Sequence, residues 1–385
     1  MANFEFQTCP HIINRAGCTA ELGQLCRTRG FARPLIVTDA GILNAGLLQD
    51  VERSFSEAGL SPLVYSDVKE DPPEQIILSA AEFMVDHEID SVIGFGGGSA
   101  MDTAKLVAVL GGGEQALSEM FGVDQVVNSR MPLILVPTTA GTGSEVTPIS
   151  IVTRPDDTKM GVVSSVLLPD IAMLDAKLTI GLPAHVTAAT GIDAMVHAIE
   201  AYTSAIRKNV YSDMLACKAL ELLAPNLLRA VRDPSNLDAR QSMLFGACLA
   251  GQAFANAPVG AVHALAYPLG GQFHIPHGLS NALVLSKVME FNVPEAAGHY
   301  AKLAPYIMGS KTPSGSDSVV SNALAAFLQE LSRESGLPQT LKELDIPESS
   351  LESLASDAMQ QQRLLVNNPR LVEYNDALEI YRAVY

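Results

Sequence analysis

Near Pro183 the chain changes its hydrophobic period, and that change limits the fold more than any other feature. Before it, short runs rich in Val, Ile and Leu alternate with amphipathic stretches. Strands are predicted at 34–38, 62–65, 91–96, 131–137, 150–153 and 171–175, with helices near 19–29, 46–58 and 74–87. Such a βαβα order builds a mostly parallel sheet wrapped by helices, since parallel neighbours need a long crossover. The later strands follow one another without long helices, so they form either a hairpin or an extension of the sheet. Beyond Pro183, Ala and Leu take over and helices are predicted at 184–205, 211–231, 239–257, 281–291, 295–308, 316–335 and 368–384. A chain of 385 residues is long for one core. The expected architecture is an α/β N-terminal domain, 1–180, followed by an all-α C-terminal domain, 181–385.

Composition narrows the class. With 48% hydrophobic and 17% charged residues the chain fits a well-buried enzyme and not a disordered one. Its net charge of −17 repels nucleic acid and anionic lipid, and no Lys/Arg cluster offsets that field. Neither nucleic acid nor membrane is therefore an expected partner. Cys9, Cys18, Cys26, Cys217 and Cys248 are odd in number and form no CxxC pair, as free thiols of a reducing compartment would. The N-terminal residues lack a basic start followed by an apolar run, and no stretch is long and apolar enough to span a bilayer. The expected location is cytoplasmic.

Two segments of the helical half carry metal-ligand chemistry. In GIDAMVHAIEAYTS, Asp193 and His197 stand four residues apart and share one helix face. Their neighbours are small or apolar, and an ionised Asp among them needs a compensating partner. A metal ion is one such partner; a hydrogen-bonded Asp–His pair is the structural alternative. Downstream, VHALAYPLGGQFHIPHGLSN offers His263, His274 and His277. Pro268, Gly270, Gly271 and Pro276 are expected to end a helix after His263 and return the chain through a loop to His277. One carboxylate with up to three imidazoles suits Fe or Zn and argues against Ca or Mg.

The α/β half carries nucleotide chemistry. SVIGFGGGSAMDTAK reads as a strand, a glycine turn and a helix, with Ser99 as its N-cap and free N–H groups that attract phosphate. It is neither GxGxxG nor the first βα turn. Asp39, at the end of the first clear strand, can accept from both ribose hydroxyls of an adenosine and repel a 2′-phosphate, which favours NAD over NADP. A plain turn Asp before Gly41 is the competing role. VPTTAGTGSEVT leaves a buried strand and presents Thr138, Thr139, Thr142, Ser144 and Thr147 where α/β sheets bind ligands.

In this order, GGGSAMDTAK, PTTAGTGSEVT, LPAHVTAATGIDAMVHAIEAYTS and HALAYPLGG with HIPHGLSNA resemble the iron-containing, group III alcohol dehydrogenase family of the dehydroquinate-synthase-like fold. The likeness spans nearly the whole chain. It implies an NAD-binding N-terminal domain, a helical metal-binding and catalytic C-terminal domain, an active site in the cleft between them, and a homo-oligomer of two or more copies. It also implies metal ligands Asp193, His197, His263 and His277, and NAD contacts at Asp39, Gly97, Gly98, Ser99, Asp102, Thr138, Thr139, Thr142 and Thr147. Fe²⁺ is the expected ion, with Zn²⁺ as competitor.

One departure stands out. Many members of that family carry His where this chain has Tyr267, four residues after His263. A phenol of pKa ~10 is a poorer proton shuttle near neutrality than imidazole. Tyr267 then orients substrate or relays a proton through water, and His274 is the other candidate. The implied activity is metal-dependent interconversion of a small primary alcohol or diol with its carbonyl, hydride passing to the nicotinamide. A hydroxyacid–oxoacid transhydrogenase that keeps its nicotinamide bound, and maleylacetate-reductase-like or dehydroquinate-synthase-like enzymes, share the architecture. A phosphorylated, anionic substrate fits poorly, because few Lys or Arg lie near the motifs.

Overall fold

The central strands of the first half are nearly continuous buried apolar runs because both faces of their sheet are covered. The elements run β1 (Ile12–Asn14), α1 (Leu22–Arg29), β2 (Pro34–Asp39), α2 (Ala40–Asn44), α3 (Gln49–Glu57), β3 (Leu63–Val68), α4 (Glu74–Asp86), β4 (Ser91–Gly96) and α5 (Gly98–Leu110). They continue with β5 (Gly122–Val123), β6 (Leu133–Pro137), β7 (Ile149–Thr153), β8 (Lys159–Val163) and β9 (Ile171–Leu174). Six of these strands form one parallel sheet in the order β1-β9-β6-β4-β2-β3. Alternate side chains sort by face with the two-residue period of a strand. Ile36, Ile93, Phe95, Ile134 and Val136 pack with Leu22 of α1 and with Val51 and Phe55 of α3. Leu35, Val37, Val92, Leu133 and Leu135 pack with Ala80, Met84, Met101, Ala104 and Val107 of α4 and α5.

The computed structural model describes residues 3–156 and 158–385. The chain divides into two compact units, Gln7–Gly181 and Met1–Phe6 with Leu182–Tyr385. In the second unit the rings of Phe4 and Phe6 lie against Tyr211. Its helices are α6 (Ala184–Thr203), α7 (Val210–Arg232), α8 (Leu237–Asn256), α9 (Ala261–Phe273), α10 (His277–Met308), α11 (Asp317–Glu334), α12 (Leu351–Ala358), α13 (Gln362–Leu365) and α14 (Tyr374–Ala383). None of the described helices is long and apolar enough to cross a membrane. All five cysteines are free thiols. Burial pushes the Cys9 thiol up to about 11 and those of Cys18 and Cys26 to about 12, which leaves them unreactive near neutral pH.

Both alternatives for the late strands are realised: β9 extends the main sheet, while β7 forms an antiparallel hairpin with β8 in a separate three-stranded sheet that includes β5. Several other sequence expectations are corrected. The helix carrying His263 does not stop there. α9 runs through Pro268 and Gly270 to Phe273, because its burial from Ala261 to Ala266 and at Pro268 and Leu269 outweighs the ~3 kcal/mol that a mid-helix proline costs. It ends at His274, whose left-handed backbone (φ 55°) turns the chain so that the Ile275 N–H donates back to the Leu269 carbonyl at 3.4 Å. Packing likewise carries α10 unbroken across Pro294, where two helices were expected. α14 begins at Tyr374 and not at 368. Ser99 does not cap α5: Gly97 is the N-cap and Gly98 the first helical residue, which puts Ser99 inside the first turn.

Candidate metal centre and nucleotide loop

Three helices bring four ligand-bearing side chains to one point. α6 supplies Asp193 and His197 one turn apart, α9 supplies His263 in its first turn, and α10 supplies His277 as its first residue. The ligand atoms of Asp193, His197, His263 and His277 all lie within 4.8 Å of one another. Asp193 Oδ1 is 3.9 Å from the Nε2 of His197, 3.9 Å from that of His263 and 3.7 Å from that of His277. Two ligands each ~2.1 Å from one ion lie roughly 3–4 Å apart, so the set fits a single transition metal ion. The Asn281 side-chain nitrogen tests that convergence. It donates to Asp193 Oδ1 at 2.6 Å and lies 3.3 Å from His263 Nε2 and 3.2 Å from His277 Nε2, so three ligand atoms surround one position.

The surroundings hold the set rigid. Asp193, His197 and His263 are buried, whereas the His277 side chain is 44% exposed, so the cluster opens on the His277 side. His197 is stacked between Phe254, at 4.3 Å, and His263, at 4.8 Å. Gly278 allows α10 to press on α6, since a Cβ there would sit 2.5 Å from the Ala189 carbonyl oxygen. Burial on its own raises the pKa of Asp193. The facing His197, His277 and His263 and the Asn281 amide outweigh it and hold the carboxyl below its usual value. Tyr267 stands at the open side, its ring 5.9 Å from that of His277. His274, exposed at the end of α9, is not among the four converging residues.

Most of the residues expected to bind nucleotide lie at the carboxyl ends of β2, β4 and β6. Gly96 adopts φ +155°, which L side chains rarely adopt, and a Cβ there would lie 2.7 Å from that of Ala100 and 3.5 Å from Asp39 Oδ2. Asp39 caps α2, its Oδ1 accepting from the Ile42 N–H at 3.1 Å, while Oδ2 faces the glycine turn. The structural role read from the sequence is thus present at Asp39 as a helix cap. Gly97 and Gly98 open α5 beside Thr139 and Thr142, and Thr138 donates its N–H to the Gly96 carbonyl. Asp102 and Thr147 turn inward. Asp102 accepts from the Ser144 hydroxyl at 2.6 Å and the Ile151 N–H at 3.0 Å.

Sequence reasoning missed three residues of these sites. Asn281 carries the spacing signal of a helix neighbour, four residues after His277. Glu200, seven residues after Asp193 on the same face of α6, accepts from the Val262 N–H at 2.7 Å and lies 2.6 Å from His263 Nδ1. Lys105 is fully buried and donates to the Ser144 and Thr147 hydroxyls and the Ile149 carbonyl.

Two family models match the chain. One, iron-containing alcohol dehydrogenase, covers residues 9–176, and the other, the C-terminal part of the Fe-containing alcohol dehydrogenase family, covers residues 187–385. The chain is 42% identical to long-chain-alcohol dehydrogenase 1 of Geobacillus thermodenitrificans, over 91% of this chain and 89% of that one. It superposes on a solved 1,3-propanediol oxidoreductase with a TM-score of 0.96 at 31% identity, covering 100% of both chains. A sulfoacetaldehyde reductase from Bifidobacterium kashiwanohense, solved with NAD⁺, matches at a TM-score of 0.89 and 27% identity, over 100% of this chain and 99% of that one.

Proposed function

The chain belongs to the iron-containing alcohol dehydrogenase family, and on that premise we propose that it interconverts a small primary alcohol or diol with its carbonyl, using NAD(H) and a divalent ion. The observation that carries this reading is the convergence of Asp193, His197, His263 and His277. When bound, the ion polarises the reacting oxygen and the nicotinamide carries the hydride. Asp193 offsets part of the ion's charge, and the stacking of His197 fixes its ring. Fe²⁺ is the ion of this proposal. A His₃Asp set binds Zn²⁺ more tightly on the usual affinity order, so supply decides occupancy. Asp39 Oδ2, facing the glycine turn, supports NAD over NADP, because a carboxylate there repels a 2′-phosphate. Gly97, Gly98, Ser99, Thr138, Thr139 and Thr142 would line the cofactor, with Asp102 and Thr147 holding their loop. The same reading has the enzyme act in the cytoplasm, in keeping with its free thiols, as a homodimer or larger homo-oligomer.

The test is NADH absorbance with a panel of primary alcohols and diols, on metal-free protein reloaded separately with Fe²⁺ and Zn²⁺. Metal-dependent NADH formation is expected. Silence with every alcohol and both ions overturns the dehydrogenase reading and turns the test to paired hydroxyacids and oxoacids. At the open side of the cluster Tyr267 is assigned a proton-relay or orienting role. Tyr267→Phe is expected to lower kcat/KM about 100-fold near neutral pH, the low end of general acid–base contributions. A kcat/KM unchanged across pH removes the hydroxyl from the reaction.

A further inference from the structure

Glu200 reaches from α6 to two neighbouring groups that the sequence keeps far from it: the start of α9 and the ring of His263. The N-cap of α9 is Gly260, whose lack of a side chain leaves the first-turn N–H groups without a local cap. The Val262 N–H instead donates to Glu200 Oε1 at 2.7 Å, so a carboxylate from α6 takes the place of a cap and sits where the helix dipole favours negative charge. Its other oxygen, Oε2, is 2.6 Å from His263 Nδ1, and both side chains are buried. A carboxylate only accepts hydrogen bonds. With the Val262 N–H on one oxygen, the contact to the other holds only if Nδ1 carries the ring proton. Nε2 is then left with its lone pair, and Nε2 is the atom that faces Asp193 at 3.9 Å.

From this geometry we propose that Glu200 is a positioning residue of the metal centre: it anchors α9 to α6 and fixes His263 in the Nδ1–H tautomer that can bind an ion. The inference rests on the four converging residues holding a metal, as proposed above. Glu200→Gln changes the logic while keeping the shape. The amide oxygen keeps the Val262 N–H, and the amide nitrogen, now facing Nδ1, donates to it. The ring proton then moves to Nε2 and blocks the ligand position. Glu200→Asp keeps acceptor-only chemistry. Tyr300→Phe is the control, because Tyr300 lines the same small cavity beside Glu200 yet is not among the partners of His263.

Two measurements on the full-length protein test it: two-bond ¹H–¹⁵N spectra of the histidine rings in the metal-free state, and Zn²⁺ titration in competition with a chromophoric chelator. The wild type is expected to show His263 as the Nδ1–H tautomer. Glu200→Gln should populate the Nε2–H form and bind Zn²⁺ 10- to 100-fold more weakly, the range for outer partners of metal ligands. Glu200→Asp should keep the Nδ1–H tautomer, and Tyr300→Phe should change neither readout. If the wild type binds no Zn²⁺, the metal reading itself fails. If it binds Zn²⁺ while His263 is the Nε2–H tautomer, or if Glu200→Gln binds as tightly with the tautomer unchanged, the role given to Glu200 is overturned and the metal reading stands.

Discussion

His263→Ala is expected to lower kcat/KM by about 10³-fold or more, the order of the several kcal/mol that Lewis-acid stabilisation supplies. Three features of the site raise this effect above that of an ordinary ligand loss. The ring is buried, so water does not easily take over its position. It stacks on His197 at 4.8 Å and lies 5.3 Å from His277, so its removal loosens both neighbours. It also leaves Glu200 Oε2 without its partner in a buried place, which costs about 1–3 kcal/mol for an unsatisfied polar group and more for a charged one. Metal content after dialysis, measured beside kcat/KM, separates the outcomes. Loss of both is the expected result. Retained activity with the metal gone removes the ion from the chemistry.

The central strands of the main sheet were legible because both of its faces are buried, which writes runs such as LILV and VIGF into the sequence without polar interruptions. β1 was not, since three residues are too few to show a period and its place depends on pairing with β9, more than 150 residues on. Asp193 and His197 were legible as a pair because one helix turn sets their distance. His263 and His277 were legible only as histidines in a segment rich in breakers, and there local rules misled. Pro268 and Gly270 were read as a stop, yet the buried face of α9 keeps the helix intact through them. Glu200 shows the limit most clearly. Its spacing from Asp193 and His197 places all three on one face of α6, but its partners lie 62 and 63 residues away. No local pattern distinguishes such a carboxylate from an ordinary solvated one.

Lys105→Met carries the largest expected effect in the α/β unit. The ammonium is fully buried and donates to Ser144 Oγ at 2.7 Å, Thr147 Oγ1 at 3.3 Å and the Ile149 carbonyl at 2.7 Å, with Asp102 Oδ1 at 3.5 Å as its counter-charge. Burial lowers its pKa, and Asp102 and Glu145 oppose that shift by favouring the charged form. Methionine matches the stem but removes every donor, which leaves Asp102 and the Ile149 carbonyl facing an apolar group. Breaking one side of a buried ion pair costs roughly 3–5 kcal/mol. Because the same ammonium ties Ser144 and Thr147 to α5, the damage is not confined to stability. The loop that carries Thr138, Thr139 and Thr142 loses its anchor beside Gly97 and Gly98, and the Kd for NADH is expected to rise about tenfold or more, each tenfold being ~1.4 kcal/mol. The chain has no tryptophan, so NADH fluorescence reports binding without interference from that residue. Denaturant unfolding gives the stability loss on the same sample. A stability loss with unchanged NADH affinity would detach this loop from the cofactor. The threonines after β6 would then be structural, and the glycine turn at Gly96 would have to hold the nucleotide without them.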